Sequence, residues 1–152
     1  MATDRSATMT RTSLLRKAAL AVGATFLLVG ILGFIPGITT DYDHLSFASH
    51  HSMAKLLGVF QVSVLHNIVH LLFGVVGIAL ARRNETARLY LVGGGVIYLL
   101  LWIYGLVIDK MSDANFVPLN TADNWLHFAL GVGMIGLGVI LGRDLVRGDR
   151  AA

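Results

Sequence analysis

The chain alternates between four long apolar runs and shorter polar segments. The runs cover residues 18–35, 59–81, 89–108 and 125–141. Each is close to the length of about 20 residues that a helix needs to cross a hydrocarbon core about 30 Å thick. None shows the alternation of apolar and polar residues that is typical of a barrel strand, so each run predicts a transmembrane helix. The predicted fold is an all-α bundle of four transmembrane helices.

Composition agrees with this class. Of the 152 residues, 55% are hydrophobic and 14% are charged, whereas soluble domains carry about 25% charged residues. The absence of cysteine excludes disulfides, thiolate metal sites and cysteine nucleophiles. The net charge of +3 does not indicate nucleic-acid binding, because the basic residues lie at the ends of the predicted helices, where membrane topology accounts for them.

All but two of the lysines and arginines fall on one side of the predicted bundle. They are Arg5, Arg11, Arg16, Lys17, Arg82, Arg83, Arg88, Arg143, Arg147 and Arg150. Only Lys55 and Lys110 fall on the other side. Because cytoplasmic loops carry the excess of basic residues, both termini are predicted to be cytoplasmic. A cleaved signal peptide is the alternative for the first run, but the run is long and is followed by GFIPGITT rather than by a small-residue cleavage pattern.

The predicted organisation is one transmembrane domain at residues 18–142, between cytoplasmic tails at residues 1–17 and 143–152. The short RRNETAR connection predicts that the second and third helices are antiparallel neighbours. The two longer connecting segments, residues 36–58 (the first outer segment) and 109–124 (the second outer segment), are predicted to lie on the outer side of the membrane.

A repeat relates the two halves of the chain. The pattern N-x-x-H-x-x-x-G-V begins at Asn67 in the second run and again at Asn124 in the fourth. The first and third runs match more loosely, with AVGATFLL aligned to LVGGGVIY, which pairs Gly23 with Gly93. The repeat predicts two parallel helical hairpins related by a pseudo-twofold axis along the membrane normal. Chance similarity between apolar segments is the alternative.

Polar residues interrupt the second and fourth runs. At the helical period, His66 and His70 share a stripe with Gly74, and His127 shares one with Gly131. Small residues allow close helix approach in lipid, so these faces are predicted to point inward. The predicted interior polar cluster comprises His66, Asn67, His70, Asp123 and His127. Its simplest role is hydrogen bonding between helices, which contributes about 0.6–2 kcal/mol per contact.

Cofactor binding is the alternative role, with His66, His70 and His127 as candidate ligands. Two imidazoles that face each other across helices can bind haem b iron axially. The repeat pairs His70 with His127, whereas depth in the membrane pairs His66 with His127. A third interpretation is a proton-linked cluster in which Asp123 lies near His127 and His66.

The outer segments carry further polar groups. DYDHLSFASHHSMAK contains residues that suit zinc or copper, namely Asp41, Asp43, His44, His50 and His51. A solvated loop is the alternative, because adjacent histidines rarely reach one ion together. In the second outer segment, Asn120 or Thr121 is predicted to cap the fourth helix, with Asp123 in its first turn.

Three segments carry a family resemblance. FQVSVLHNIVHLLFGVVGIALAR, YLVGGGVIYLLLWIYGLVID and ANFVPLNTADNWLHFALGVGMIGLG, with GFIPGITT after the first run, resemble an uncharacterised, mainly actinobacterial family of four-helix integral membrane proteins, a DUF4383-like domain of unknown function. The resemblance implies a small multi-pass protein of a bacterial plasma membrane, and it implies no reaction.

No nucleophile elbow, phosphate-binding loop or HExxH motif is present. The sequence therefore favours a non-enzymatic structural or accessory component of the membrane, in contact with the lipid bilayer and with other membrane proteins or with further copies of itself. The glycine face that contains Gly138 and Gly142 motivates the prediction of a homo-oligomer. The alternatives are a redox protein that binds haem or quinone through the histidines and a small proton-coupled transporter.

Overall fold

The computed structural model describes residues 2–143 and residue 145, with side chains for residues 9–143 and for residue 145. Most of the predicted C-terminal tail, with Arg147 and Arg150, and the side chain of Arg5 lie outside these described residues. The described residues form four α-helices: α1 (Ala2–Leu32), α2 (Val64–Leu80), α3 (Asn84–Val107) and α4 (Thr121–Leu141). The prediction of an all-α, four-helix fold is confirmed.

Within the described part of the chain, three helices are long and apolar enough to cross a membrane, namely α1 from Met9 onwards, α3 and α4. α2 has 17 residues and is about 26 Å long, so it is shorter than the run at residues 59–81 suggested. The first residues of that run form a strand instead, and Ser63 then caps α2 by accepting a hydrogen bond from the His66 amide at 3.1 Å. Many large apolar side chains on all four helices remain exposed, as expected for surfaces in contact with lipid.

A small antiparallel sheet lies between α1 and α2. Its strands are β1 (Thr39–Thr40), β2 (Lys55–Leu56) and β3 (Phe60–Gln61), in the order β1-β2-β3. Ala54, Leu56 and Val62 are buried in this segment and pack against Val29 and Leu32. The sheet therefore forms an apolar cap on one end of α1.

The helices pack as two hairpins. α1 lies along α2 and α3 lies along α4, while contact between α1 and α3 joins the hairpins. α2 and α3 are neighbours, as predicted, but they meet through side chains, with the Phe73 ring 5.1 Å from the Tyr90 ring and 5.5 Å from the Tyr98 ring between centroids. Their backbones approach less closely than those within each hairpin. The short connection holds the end of α2 close to the start of α3. Along most of their lengths, however, α2 packs against α1 and α3 packs against α4.

Each hairpin is held at a glycine–glycine crossing. A Cβ built on Gly23 would lie 3.0 Å from the Gly74 carbonyl oxygen, and one built on Gly131 would lie 3.0 Å from the Gly95 carbonyl oxygen. Because glycine has no side chain, the backbones of the two helices in each hairpin can approach this closely. Gly23 thus corresponds to Gly95, and the alignment of Gly23 with Gly93 was wrong. The reason is that the third run offers adjacent glycines and only the packing distinguishes them.

The Phe26 and Tyr98 rings stack between the hairpins, with centroids 5.2 Å apart and planes 21° apart. The two residues are equivalent in the corrected register. They are 4% and 3% exposed and lie in the main apolar core with Leu15 and Leu91. The core of the bundle therefore lies at the contact between its two repeated halves.

Candidate functional site: a buried histidine and asparagine cluster

Two asparagines lie in matching positions of the two hairpins. Asn67 on α2 is 1% exposed and Asn124 on α4 is 3% exposed. A Cβ on Gly33 would overlap the Asn67 amide, and a Cβ on Gly105 would overlap the Asn124 amide. Glycine at these two positions leaves the room that each amide occupies. The repeat in the sequence thus corresponds to a repeated contact between an asparagine and a glycine.

The structure brings the three predicted histidines together. The Nε2 atoms of His66 and His70 lie 3.2 Å apart, so one ring donates a hydrogen bond to the other. The His66 ring also lies near the His127 ring, with centroids 6.4 Å apart, and this contact crosses from one hairpin to the other. All three rings are buried. His66 is therefore the histidine that links the two halves.

Aromatic rings cover the two deeper histidines in the same way. Phe26 meets His70 edge to face with centroids 5.6 Å apart, and Tyr98 meets His127 with centroids 5.2 Å apart; both interplanar angles are 67°. Phe26 was not among the residues predicted for the site. Its signal was its equivalence to Tyr98, which the incorrect register of the first and third runs concealed.

Asp123 occupies the position on α4 that corresponds to His66 on α2, three residues after the helix cap. Its Oδ2 atom accepts hydrogen bonds from the backbone amides of Asn120 and Gln61, each at 3.0 Å. Asn120 in turn accepts from the Asp123 amide at 2.9 Å, which completes a capping box. Asn120 is thus confirmed as the helix cap. These bonds tie Asp123 to the backbone of β3 and of the loop before α4.

Gln61 is a further residue that sequence reasoning missed. Its backbone amide bonds Asp123, and its side-chain amide donates to the carbonyl oxygens of His50 at 3.3 Å and Ser52 at 2.7 Å. The available signal was a lone polar residue before an apolar run. Gln61 connects the first outer segment to the start of α4.

Several polar atoms of the cluster have no hydrogen-bond partner among the described residues. They include the Nδ1 atoms of His70 and His127 and the amide nitrogen of Asn67. Buried polar atoms without a partner are uncommon and often indicate a bound water or a functional group. These atoms could therefore bind a water molecule, a proton or a ligand in addition to their packing contacts.

A flat macrocycle would meet obstacles in this arrangement. His66 contacts His70 through Nε2, the atom with which an imidazole usually ligates iron. Tyr98 packs against the His127 ring. Haem bound between His66 and His127 would require these rings to separate.

The predicted outer residues divide into two groups. His50 and His51 come together with Asp113 from the second outer segment. Asp43 and His44 instead lie in a short 3-10 helix, Tyr42–His44, with Asp41 directly before it. Asp113 was not predicted, because nothing in the sequence indicates that the two outer segments meet.

Comparison with known proteins gives a family. Residues 16–140 match the family model described as "Domain of unknown function (DUF4383)". No curated protein and no solved structure matches the chain. The matched residues cover all of α2 and α3 and nearly all of α4, together with both polar motifs. The chain therefore belongs to the DUF4383 family.

Proposed function

We propose that this chain is a non-enzymatic integral membrane protein, a structural or accessory component of a bacterial plasma membrane. The proposal rests on one observation: the buried polar side chains make the same packing contacts in both hairpins. Each hairpin places an asparagine against a glycine and a histidine against an aromatic ring. Such contacts hold helices together in lipid, where the hydrophobic effect does not drive helices to associate.

A multi-pass topology with cytoplasmic termini belongs to the same proposal. Arg16, Lys17 and Arg82 line one cavity at the end of the bundle where α1 meets the C-terminal end of α2. The Arg16 side chain donates to the Ala81 carbonyl oxygen at 3.2 Å. Lys55 lies in the sheet at the opposite end. The excess of positive charge at the first end supports its assignment to the cytoplasmic side.

A second candidate is a proton-handling function, which the His66–His70 contact favours. Two imidazoles joined through Nε2 can exchange a proton, and the Nδ1 atoms of His70 and His127, which have no hydrogen-bond partner among the described residues, offer further positions. In membrane transporters, chains of buried ionisable residues act as proton relays. The outer position of His66, in the first turn of α2, suits entry from that side of the membrane.

One set of variants separates the two candidates. His70→Gln and His127→Gln each remove a ring that packs against the aromatic core, and His44→Ala removes an exposed histidine as the matched control. Under the structural proposal, the first two variants lose about 1–3 kcal/mol of unfolding free energy, and His44→Ala loses none that is measurable. Unfolding is followed in mild detergent by circular dichroism.

The functional measurement uses liposomes that contain a trapped pH-sensitive dye. The structural proposal expects proton flux equal to that of protein-free liposomes. Flux in the native protein that disappears in His127→Gln but persists in His44→Ala would establish the transport function instead. A reduced-minus-oxidised visible spectrum with a sharp α-band, lost in His127→Gln, would establish a redox function.

A further inference from the structure

The two outer segments bring together three side chains whose atoms can ligate a metal ion. One ligand atom from each of His50, His51 and Asp113 lies within 4.8 Å of the others, the one such grouping found among the residues that the structure describes. His51 and Asp113 are exposed and His50 is half-buried. Two imidazoles and one carboxylate form a donor set that suits Zn²⁺ and leaves a fourth position for water.

We propose that His50, His51 and Asp113 form a Zn²⁺ site that joins the two hairpins on the outer side of the bundle. Ligand atoms around tetrahedral zinc lie about 3.3 Å apart, given metal–ligand distances of about 2.0–2.2 Å. The group must therefore contract by an amount that rotation of the exposed His51 and Asp113 side chains can provide.

The backbone that carries these ligands is held in place. Ser49 donates its amide to the Phe116 carbonyl oxygen at 2.6 Å, which joins the first outer segment to the second. The Gln61 side chain donates to the His50 carbonyl oxygen at 3.3 Å. Zinc binding therefore requires little ordering of the main chain near His50, which lowers its entropic cost.

The second segment is fixed just as firmly. Asn115 is 1% exposed; its side chain donates to the Lys110 carbonyl oxygen at 3.0 Å and accepts from the Leu119 amide at 3.0 Å. The Tyr104 hydroxyl donates to the Ala114 carbonyl oxygen. Asp113 thus extends from a braced turn, on the hairpin that does not carry the two histidines.

His50 already has a partner that orients its ring. Its Nδ1 atom lies 3.2 Å from the Ser49 hydroxyl oxygen. When Nδ1 donates this hydrogen bond, the tautomer leaves the Nε2 lone pair for a metal, as in most histidine metal sites. The His50 and His51 ring centroids are 4.0 Å apart, so adjacent histidines do reach one region of space here.

The test uses untagged full-length protein in mild detergent, titrated with ZnCl₂ by isothermal calorimetry. We expect one zinc ion per chain. His51→Ala and Asp113→Asn should each weaken binding about tenfold or more, because each removes a direct ligand. His44→Ala, in the same outer segment but outside the group, should leave binding unchanged. Binding that is absent in the native protein, or that persists equally in His51→Ala and Asp113→Asn, would overturn the proposal.

A thermal measurement distinguishes lost ligation from lost folding. Without zinc, the His51→Ala and Asp113→Asn variants should have the same melting temperature as the native protein, because both side chains are exposed. With zinc, the native melting temperature should rise, since a ligand that binds only the folded state stabilises it. Both variants should lose that rise. An equal rise in Asp113→Asn would assign the metal to another place and contradict the site.

Discussion

Phe26 and Tyr98 stack against each other across the centre of the bundle, and each covers a buried histidine of its own hairpin. The two residues occupy equivalent positions of the repeat. The apolar core and the polar cluster are therefore not separate regions, because the same two rings contribute to both. Changes at this contact should affect the packing of both hairpins.

Phe26→Ala and Tyr98→Ala should each lower the free energy of unfolding by about 3–5 kcal/mol, because each removes a buried aromatic ring. Tyr98→Phe keeps the ring and serves as the matched control, with a much smaller effect. Thermal or denaturant unfolding in mild detergent measures the difference. Equal losses in Tyr98→Ala and Tyr98→Phe would show that the hydroxyl, rather than the stacked ring, stabilises this region.

Gly33→Ala and Gly105→Ala should each destabilise the fold by about 1–3 kcal/mol, because the added methyl group overlaps a buried asparagine amide. Gly93→Ala on α3 is the control, since the nearest described atom to a Cβ there is in the Leu89 side chain, 4.0 Å away. Alanine is also the better helix former, by up to about 1 kcal/mol. The same unfolding assay applies. If Gly105→Ala matched Gly93→Ala in stability, the asparagine–glycine contact would not be a packing constraint.

Asp123→Ala should lower the free energy of unfolding by about 1–3 kcal/mol, because it leaves the backbone amides of Gln61 and Asn120 without their shared acceptor. Asp123→Asn retains an oxygen acceptor and should retain most of the stability. Hydrogen exchange at the Gln61 amide provides a local measurement, with faster exchange expected in Asp123→Ala than in Asp123→Asn. Unchanged exchange in Asp123→Ala would mean that the amide has another acceptor.

In a homo-oligomer, a second copy of the chain would contact α4 on a face other than that of Gly138 and Gly142. Gly138 and Gly142 pack against Val92 and Arg88 of the same chain, so they do not provide a surface for a second copy. A Cβ on Gly133 or on Gly136 would have no described atom within 4 Å, and Ala129 on the same side is exposed. Small residues on an open helix face allow another helix to approach closely.

Gly133→Leu combined with Gly136→Leu should therefore shift the protein from oligomer to monomer in mild detergent, measured by light scattering coupled to size exclusion. Gly93→Leu on α3 is the control, because a Cβ at that position also meets no close neighbour. A native protein that is already monomeric, or an oligomer that survives the double substitution, would contradict the use of this face.

The sequence by itself determined the four helices and the membrane class of the protein, because a run of about 20 apolar residues with few charges has the length and composition of a helix that crosses a bilayer. It also determined the helix cap at Asn120 and the repeat of Asn67 at Asn124, because caps and helical spacing depend on residues close in the chain. The inward direction of His66, His70 and His127 followed from the glycines on their stripes.

Only the tertiary structure decided which helices form hairpins and which residues meet between them. The apolar faces of four helices resemble one another in lipid, where burial does not distinguish one partner from another. Partner choice depends instead on close backbone contacts, such as Gly23 with Gly74, and a helical pattern does not report these. The contact of Phe26 with His70, and the approach of Asp113 to His50, likewise join residues that are far apart in the sequence. Local sequence patterns do not predict such contacts.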